Sequence, residues 1–133
     1  MMRQWLRQAL GVPAVRAIRG ATTVPADETD AIRDAVLELL HAVRRENLFA
    51  ASEVISAIFT VTPDLTAAFP AETARRAGWA HVPLLCVQEI AVPGGMPRCL
   101  RVLVHVERDW GGVPPRHVYL RDAAMLRPDL ATA

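Results

Sequence analysis

The side chains able to do chemistry are few. Glu89 and Arg101 stand in "LLCVQEIAVPGGMPRCLRVLVHV", residues 84–106, one charge of each sign inside two runs that are otherwise apolar. All fifteen basic residues are arginines, so no lysine is available as a Schiff-base former or a general base. The only serines, Ser52 and Ser56, lie in an apolar run with no nucleophile-elbow pattern. His41, His81, His105 and His117 are scattered, without HxH, HExxH or CxxC spacing; no metal site is expected, and the four read as surface or strand histidines. "PGG" falls between two strand-like runs rather than ahead of a helix, which argues against a phosphate loop. What remains is an arginine-rich chain with a fixed carboxylate. Such equipment suits binding of a small dianion, or a reaction that needs only shape and electrostatics.

Whether Glu89 and Arg101 meet depends on register. Residues 84–106 read as a β-hairpin, and Pro93 and Pro97, which lack amide protons, do not belong in a ladder. A turn spanning Pro93–Pro97 opposes Val92 to Arg98 and Glu89 to Arg101, with Val87 and Leu103 on the same face and Cβ atoms about 5 Å apart. A tight Gly94-Gly95 turn instead opposes Glu89 to Leu100 and separates the charges. In the first register the pair is either a cross-strand ion pair that neutralises itself on a half-exposed face, or a carboxylate and a guanidinium fixed on the wall of a small-molecule pocket. These residues alone leave both readings open.

The elements that would position them follow from periodicity. Val15 to Ala21 reads as a strand, ended by "TTVPADETD". Ile32, Val36, Leu39, Leu40 and Val43 recur at helical spacing between Thr29 and Asn47, with acids early and Arg44 and Arg45 late, as the helix dipole favours. "EVISAIFTVT" reads as a buried strand, and Pro70 to Arg76 as a short helix with Pro70 at its first position and Gly78 as its stop. The hairpin, a loop "RDWGGVPPR", a strand "HVYL" and a last helical turn in "RDAAMLRPDL" complete the order β, α, β, α, β, β, β. That order predicts an α/β (α+β) domain, a mixed sheet with helices packed on one face. A chain of 133 residues suits one such domain, and residues 1–14 read as a short extension, a frayed amphipathic turn carrying Trp5 and Leu6. Gly11 and Pro13 break that segment before a signal-peptide core forms, and no membrane span is expected.

Composition adds two expectations. At 52% apolar residues the chain has a surplus easiest to place in a subunit interface. A formal charge of +1 gives no basic field for nucleic acid. Cys86 and Cys99 read as reduced thiols of a cytoplasmic protein.

"RAIRGATTV" at 16–24, "TPDLTAAFPA" at 62–71, "GWAHVPLLCVQEI" at 78–90, "GGMPRCLRV" at 94–102 and "RHVYLRDAAMLRPDL" at 116–130 together resemble the monofunctional chorismate mutases of the Bacillus type, the AroH class. The resemblance spans Val15 to Leu130 and sets residues 15–133 as a single domain of that kind. It implies a pseudo-barrel homotrimer with active sites between subunits, and conversion of chorismate to prephenate on the way to phenylalanine and tyrosine, without cofactor. The reaction is an intramolecular rearrangement, which needs a compact substrate and a cation beside the ether oxygen rather than a nucleophile.

Carried over by motif, Arg101 is that cation, and Glu89 accepts a hydrogen bond from the substrate's ring hydroxyl with Cys86 nearby. The resemblance makes Arg19 a carboxylate clamp, Tyr119 a hydrogen-bonding partner at the same end, and Phe69, Ala71, Leu84, Leu85 and Leu126 walls. Arg127 assists carboxylate binding or closure from the C-terminal segment. Two positions depart from the family pattern. Glu72 stands where a lysine is frequent, and the helix before "GW" is one residue shorter, so the family's arginine there is Arg75 or Arg76, with Arg75 preferred. A trimeric protein that only binds a small carboxylate in the same clefts is the competing reading.

Overall fold

The computed structural model describes residues 3, 5, 6 and 11–130. Of the expected N-terminal extension, Trp5 and Leu6 sit in a helical turn in which the Leu6 N–H donates to the Arg3 carbonyl at 3.1 Å. Residues 1, 2, 4, 7–10 and 131–133 lie outside the described residues.

The elements follow the expected order: β1 (Ala14–Thr23), α1 (Thr29–Asn47), β2 (Val54–Val61), α2 (Pro70–Ala74), β3 (Leu84–Gln88), β4 (Cys99–Arg108) and β5 (Val118–Tyr119). Short helical turns at Arg121–Met125 and Pro128–Leu130 close the chain. α2 passes into a wide turn over Arg75–Trp79, where Gly78 at φ 105° ends the helix and lets the chain bury Trp79. A side chain at that φ is strained, which is why glycine stands there.

The sheet order is β3-β2-β4-β1-β5, and it overturns the expected hairpin. β2 lies between β3 and β4, running parallel to β3 and antiparallel to β4. The physical reason lies in β2, whose Ala57 and Phe59 are fully buried. An apolar strand of this kind is most stable with a neighbour on each edge, and residues 89–98 are long enough to cross its end. Turn residues and alternating apolarity marked two strands and a reversal correctly, but they do not say that the two strands pair with each other.

Alternation divides the sheet into two unlike faces. Ile18 of β1, Ala57 and Phe59 of β2, Leu100, Val102, Val104 and Val106 of β4 and Val118 of β5 point towards α1 and α2. There they pack with Ile32, Val36, Leu39, Leu40 and Val43 in one core. Both helices lie on this face, as expected. The opposite face carries Arg19, Ile58, Thr60, Arg101, Leu103 and Tyr119. Part of it is covered by the chain's end: Ala21, Tyr119 and Ala123 form a second, small buried cluster with Leu126 and Leu130 packed against it.

α1 reaches the sheet closely at Gly20. A Cβ there would lie 3.0 Å from Val43 Cγ2, 3.1 Å from Leu39 Cδ1 and 3.1 Å from Val102 Cγ1, all branched side chains inside the core. Overpacking a filled core costs about 1–3 kcal/mol. Gly20→Ala is therefore expected to lower the unfolding free energy by that amount, seen as a lower urea midpoint at unchanged slope; an unaltered midpoint would show that α1 can back away at no cost.

Candidate active site

The open face of the sheet holds an ion pair built across three strands. Arg101 on β4 is the register partner of Thr60 on β2, and Thr60 is the register partner of Val87 on β3. Glu89 lies just past β3, where its N–H donates to the Val61 carbonyl at 2.9 Å and so carries the β2–β3 ladder on by one bond. From there its carboxylate reaches over Thr60. Arg101 Nε lies 3.1 Å from Glu89 Oε1 and 3.2 Å from Oε2, and the Thr60 hydroxyl donates to Oε2 at 2.8 Å. Glu89 and Arg101 thus do meet, by bridging an intervening strand rather than by facing one another in a hairpin. The acid is the more enclosed partner, its side chain 17% exposed against 43% for the arginine.

Beside this pair lies a cavity of about 410 Å³ lined by Arg19, Ile58, Thr60, Arg101, Tyr119 and Arg127, with Leu126 at its side. β1 supplies Arg19, β5 supplies Tyr119 and the C-terminal turns supply Leu126 and Arg127. β5 is placed by α1: buried Asn47, at the helix's last position, donates from Nδ2 to the carbonyls of Val43 and Arg116, both at 2.9 Å, and accepts the Arg116 N–H at 2.8 Å. On the other side of Arg101 a shallower recess of about 780 Å³ runs past Glu89, Ile90 and Asp64.

Electrostatically the cavity gathers guanidinium groups. Arg127 is engaged by Asp129 through Nε to Oδ1 at 3.2 Å and Nη2 to Oδ2 at 3.0 Å. That contact holds the Asp129 carboxyl below the usual carboxylate range, with the Arg19 charge as a smaller contribution, and raises Arg127 further. His117 is pushed down by partial burial and by the charges of Arg19 and Arg127. Burial pushes the Cys99 thiol up, against the opposing charge of Arg101.

The remaining residues expected at the site lie elsewhere. Cys86 occupies a position on β3 whose side chain turns towards the helices, and its sulfur accepts the Ala71 N–H at 3.4 Å. With Phe69 it lines a separate recess of about 510 Å³. Ala71 is buried, Leu84 packs against the helix-side core, Leu85 is exposed on the open face and Arg75 is exposed on the wide turn. The segment leading to Phe69 is tied down by Asp27, whose carboxylate accepts from the Thr66 N–H, the Thr66 hydroxyl and the Ala67 N–H. Those bonds, the Thr66 hydroxyl first, hold Asp27 below its ordinary value. Glu72 lines the same recess and pairs with Arg76 at 2.8 Å, one turn along. The Glu72 carboxylate is thereby paired, and Arg76 is the arginine that it takes up.

One chain therefore brings together Arg19, Glu89, Arg101, Tyr119, Leu126 and Arg127, and holds Phe69, Ala71, Cys86 and Arg75 apart from them. Thr60 and His117 were not found from sequence. Thr60 is one of many strand threonines until β2 is known to separate β3 from β4. Among the described residues no group of three or more His, Cys, Asp and Glu side chains is placed to hold a metal ion, and no helix is long and apolar enough to cross a membrane.

Known proteins resemble this chain in sequence and in fold. Residues 15–130 match the family chorismate mutase type I. The chain is 51% identical over 120 residues to chorismate mutase AroH of Thermus thermophilus, covering 90% of this chain and 98% of that one. It is 42% identical over 118 residues to chorismate mutase AroH of Bacillus subtilis (strain 168), covering 88% and 93%. A solved chorismate mutase from Clostridium thermocellum superposes with a TM-score of 0.79 at 44% identity, covering 83% of this chain and 98% of that one.

Proposed function

The chain belongs to the type I chorismate mutase family, and on that premise we propose that it rearranges chorismate to prephenate in the cleft whose floor carries Arg101. The observation that carries the reading is the Arg101 guanidinium, oriented by Glu89 and Thr60 at the edge of a cavity that also holds Arg19, Tyr119 and Arg127. In the rearrangement the ether C–O bond breaks as a C–C bond forms within one molecule, so no proton, nucleophile or co-reactant is needed. Negative charge grows on the ether oxygen on the way. A donor fixed where that charge appears stabilises the transition state more than the ground state.

Glu89 engages Arg101 through Nε, which sets the plane of the guanidinium and so the direction of its remaining N–H donors. The same carboxylate is the acceptor for the substrate's ring hydroxyl. Arg19 and Arg127 take the carboxylates of the dianion, Tyr119 adds a hydrogen bond, and Leu126 closes the apolar side. Asp129 must give way for a substrate carboxylate to reach Arg127. That exchange is inexpensive because the Arg127–Asp129 pair is solvent-exposed.

The second half of the site, we propose, comes from a neighbouring copy in a homotrimer. Leu85, Val87, Ile90 and Val92 are all exposed along β3 and the chain beyond it, with Phe69 exposed nearby. An apolar row on a sheet edge calls for a cover. An adjoining subunit packed there would set its Arg101 cavity against this chain's Phe69, Ala71, Arg75, Leu85 and Cys86, which one chain alone leaves apart; Leu84 would support that wall from behind. Residues 15–133 form the catalytic domain in this reading, and its product feeds phenylalanine and tyrosine synthesis in the cytoplasm. A protein that only bound a dicarboxylate would need Arg19 and Arg127 but would gain nothing from a cation held beside an uncharged ether.

The test is loss of chorismate absorbance on adding purified protein without metal or cofactor, with prephenate confirmed by acid conversion to phenylpyruvate. Arg101→Ala is expected to lower kcat by about a hundredfold or more, the loss typical of one preorganised donor to a developing oxyanion; near-normal turnover in a folded variant would sink the mechanism. Thr60→Val removes one hydrogen bond to a charged group and keeps the strand's branched shape. Its kcat/KM should fall about tenfold, the lower end for such a bond, and wild-type kinetics would mean that Glu89 needs no second anchor. Light scattering should give the trimer mass, and a clean monomer at working concentration would remove the shared cleft.

A further inference from the structure

β5 pairs with β1 only at Gly20↔Val118 and Ala21↔Tyr119, with one further bond from the Leu120 N–H to the Ala21 carbonyl at 2.9 Å. Arg19 lies one residue ahead of these pairs on β1, where the ladder with β5 has not yet begun. The His117 ring closes that gap: its Nδ1 accepts the Arg19 N–H at 2.9 Å. A ring nitrogen that accepts carries no proton, so His117 is neutral with its proton on Nε2. The bond acts on the backbone of the residue whose guanidinium lines the cavity. It joins the last strand to the first at the site's own corner, which Asn47 anchors from the helix side.

We infer that His117 is a positioning residue for the substrate clamp, its imidazole standing in for a strand carbonyl that keeps Arg19 in register, so that protonating the ring releases the Arg19 backbone and weakens binding of a dicarboxylate substrate. The inference rests on the chorismate mutase reading for the identity of that dicarboxylate, but the bond itself does not. Among the described residues, the charges of Arg19 on β1 and of Arg127 in the C-terminal turns act on His117; both, after burial, disfavour its cationic form. The switch therefore operates below the ordinary histidine value of about 6.5, and the neutral ring prevails at and above neutrality. A cation at His117 also adds long-range attraction for an anion. That attraction is screened by solvent and salt, whereas the lost bond acts directly on the clamp.

Because Arg19 holds substrate and transition state alike, the effect belongs in KM more than in kcat. Three proteins are compared by chorismate kinetics and by amide NMR between pH 5 and 8: wild type, His117→Ala and His117→Asn. Asparagine places its amide oxygen on the same branch as Nδ1 and does not titrate. Expected results are a KM raised about tenfold in His117→Ala, the loss of one ordinary hydrogen bond's worth of order, with kcat within about threefold. His117→Asn should stay near wild type at pH 7.5 and lack the acid rise in KM that wild type shows. The wild-type Arg19 amide resonance should titrate together with the His117 ring, and should not titrate in His117→Asn. A folded His117→Ala with wild-type KM, superimposable pH profiles for wild type and His117→Asn, or an Arg19 amide indifferent to His117 would each overturn the inference. A wild-type protein whose Arg19 amide titrates as expected but which does not turn over chorismate would overturn the function and leave the bond standing.

Discussion

The close approach of α1 to β1 at Gly20 governs the placement of everything that follows. With no side chain at Gly20, Leu39 and Val43 lie directly on the strand, and the helix is fixed against the residue that sits between Arg19 and Ala21. Once α1 is fixed, so is its last residue, Asn47. Its buried amide takes both backbone groups of Arg116, and that grip sets where β5 begins. β5 in turn carries Tyr119 to the Arg19 corner, with His117 just ahead of the strand. A packing contact on the buried face thus bears on charged groups of the open face through one sheet's thickness. Sites held by strands in this way are more exact than sites held by loops.

The Glu89–Arg101 pair has a different logic. As a stability device it is weak, because the arginine is substantially exposed and such pairs contribute little after desolvation and side-chain ordering. What the pair does supply is direction. A guanidinium tethered through Nε to a carboxylate that is itself held by the Thr60 hydroxyl and carried on a β2-bonded backbone has few rotamers left. For chemistry whose demand is a cation already in place when charge develops, the ordering cost is met during folding instead of during each turnover. Arginine rather than lysine fits that use, since a planar fork can be aimed by binding one of its nitrogens and an ammonium cannot.

Much of the fold was legible, and the part that was not is instructive. α1 was readable because its apolar spacing, early acids and late arginines all agree. The order of strands along the chain was readable from apolar runs and punctuation. Their order in the sheet was not, because a strand's pattern records that it is buried and not which strand covers it. The expected hairpin placed Glu89 and Arg101 together for the wrong reason: the true bridge spans β2, and only that insertion gives Thr60 its part. His117 was equally hidden, since nothing in "RHVYL" says that the strand starts one residue late, at Val118, and that a ring nitrogen completes its ladder. Cys86 was placed near Glu89 by motif, yet strand alternation sends its side chain to the helix side, towards Ala71.

That last divergence bears on how the site is assembled. Within one chain, β3 presents Leu85 and Val87 on the face of Thr60 and Arg101, while Cys86 and Phe69 line a recess on the other side of the same edge. No side-chain rotation merges two faces of a strand. If both groups serve one ligand, the ligand must sit where the edge of one copy meets the open face of another, and the exposed apolar row from Leu85 to Val92 lies along that edge. The charge pattern fits the same division. The guanidiniums lie in the cavity of the open face, and Glu72 on the edge side is already neutralised by Arg76, so an arriving dianion meets attraction from one wall without repulsion from the other.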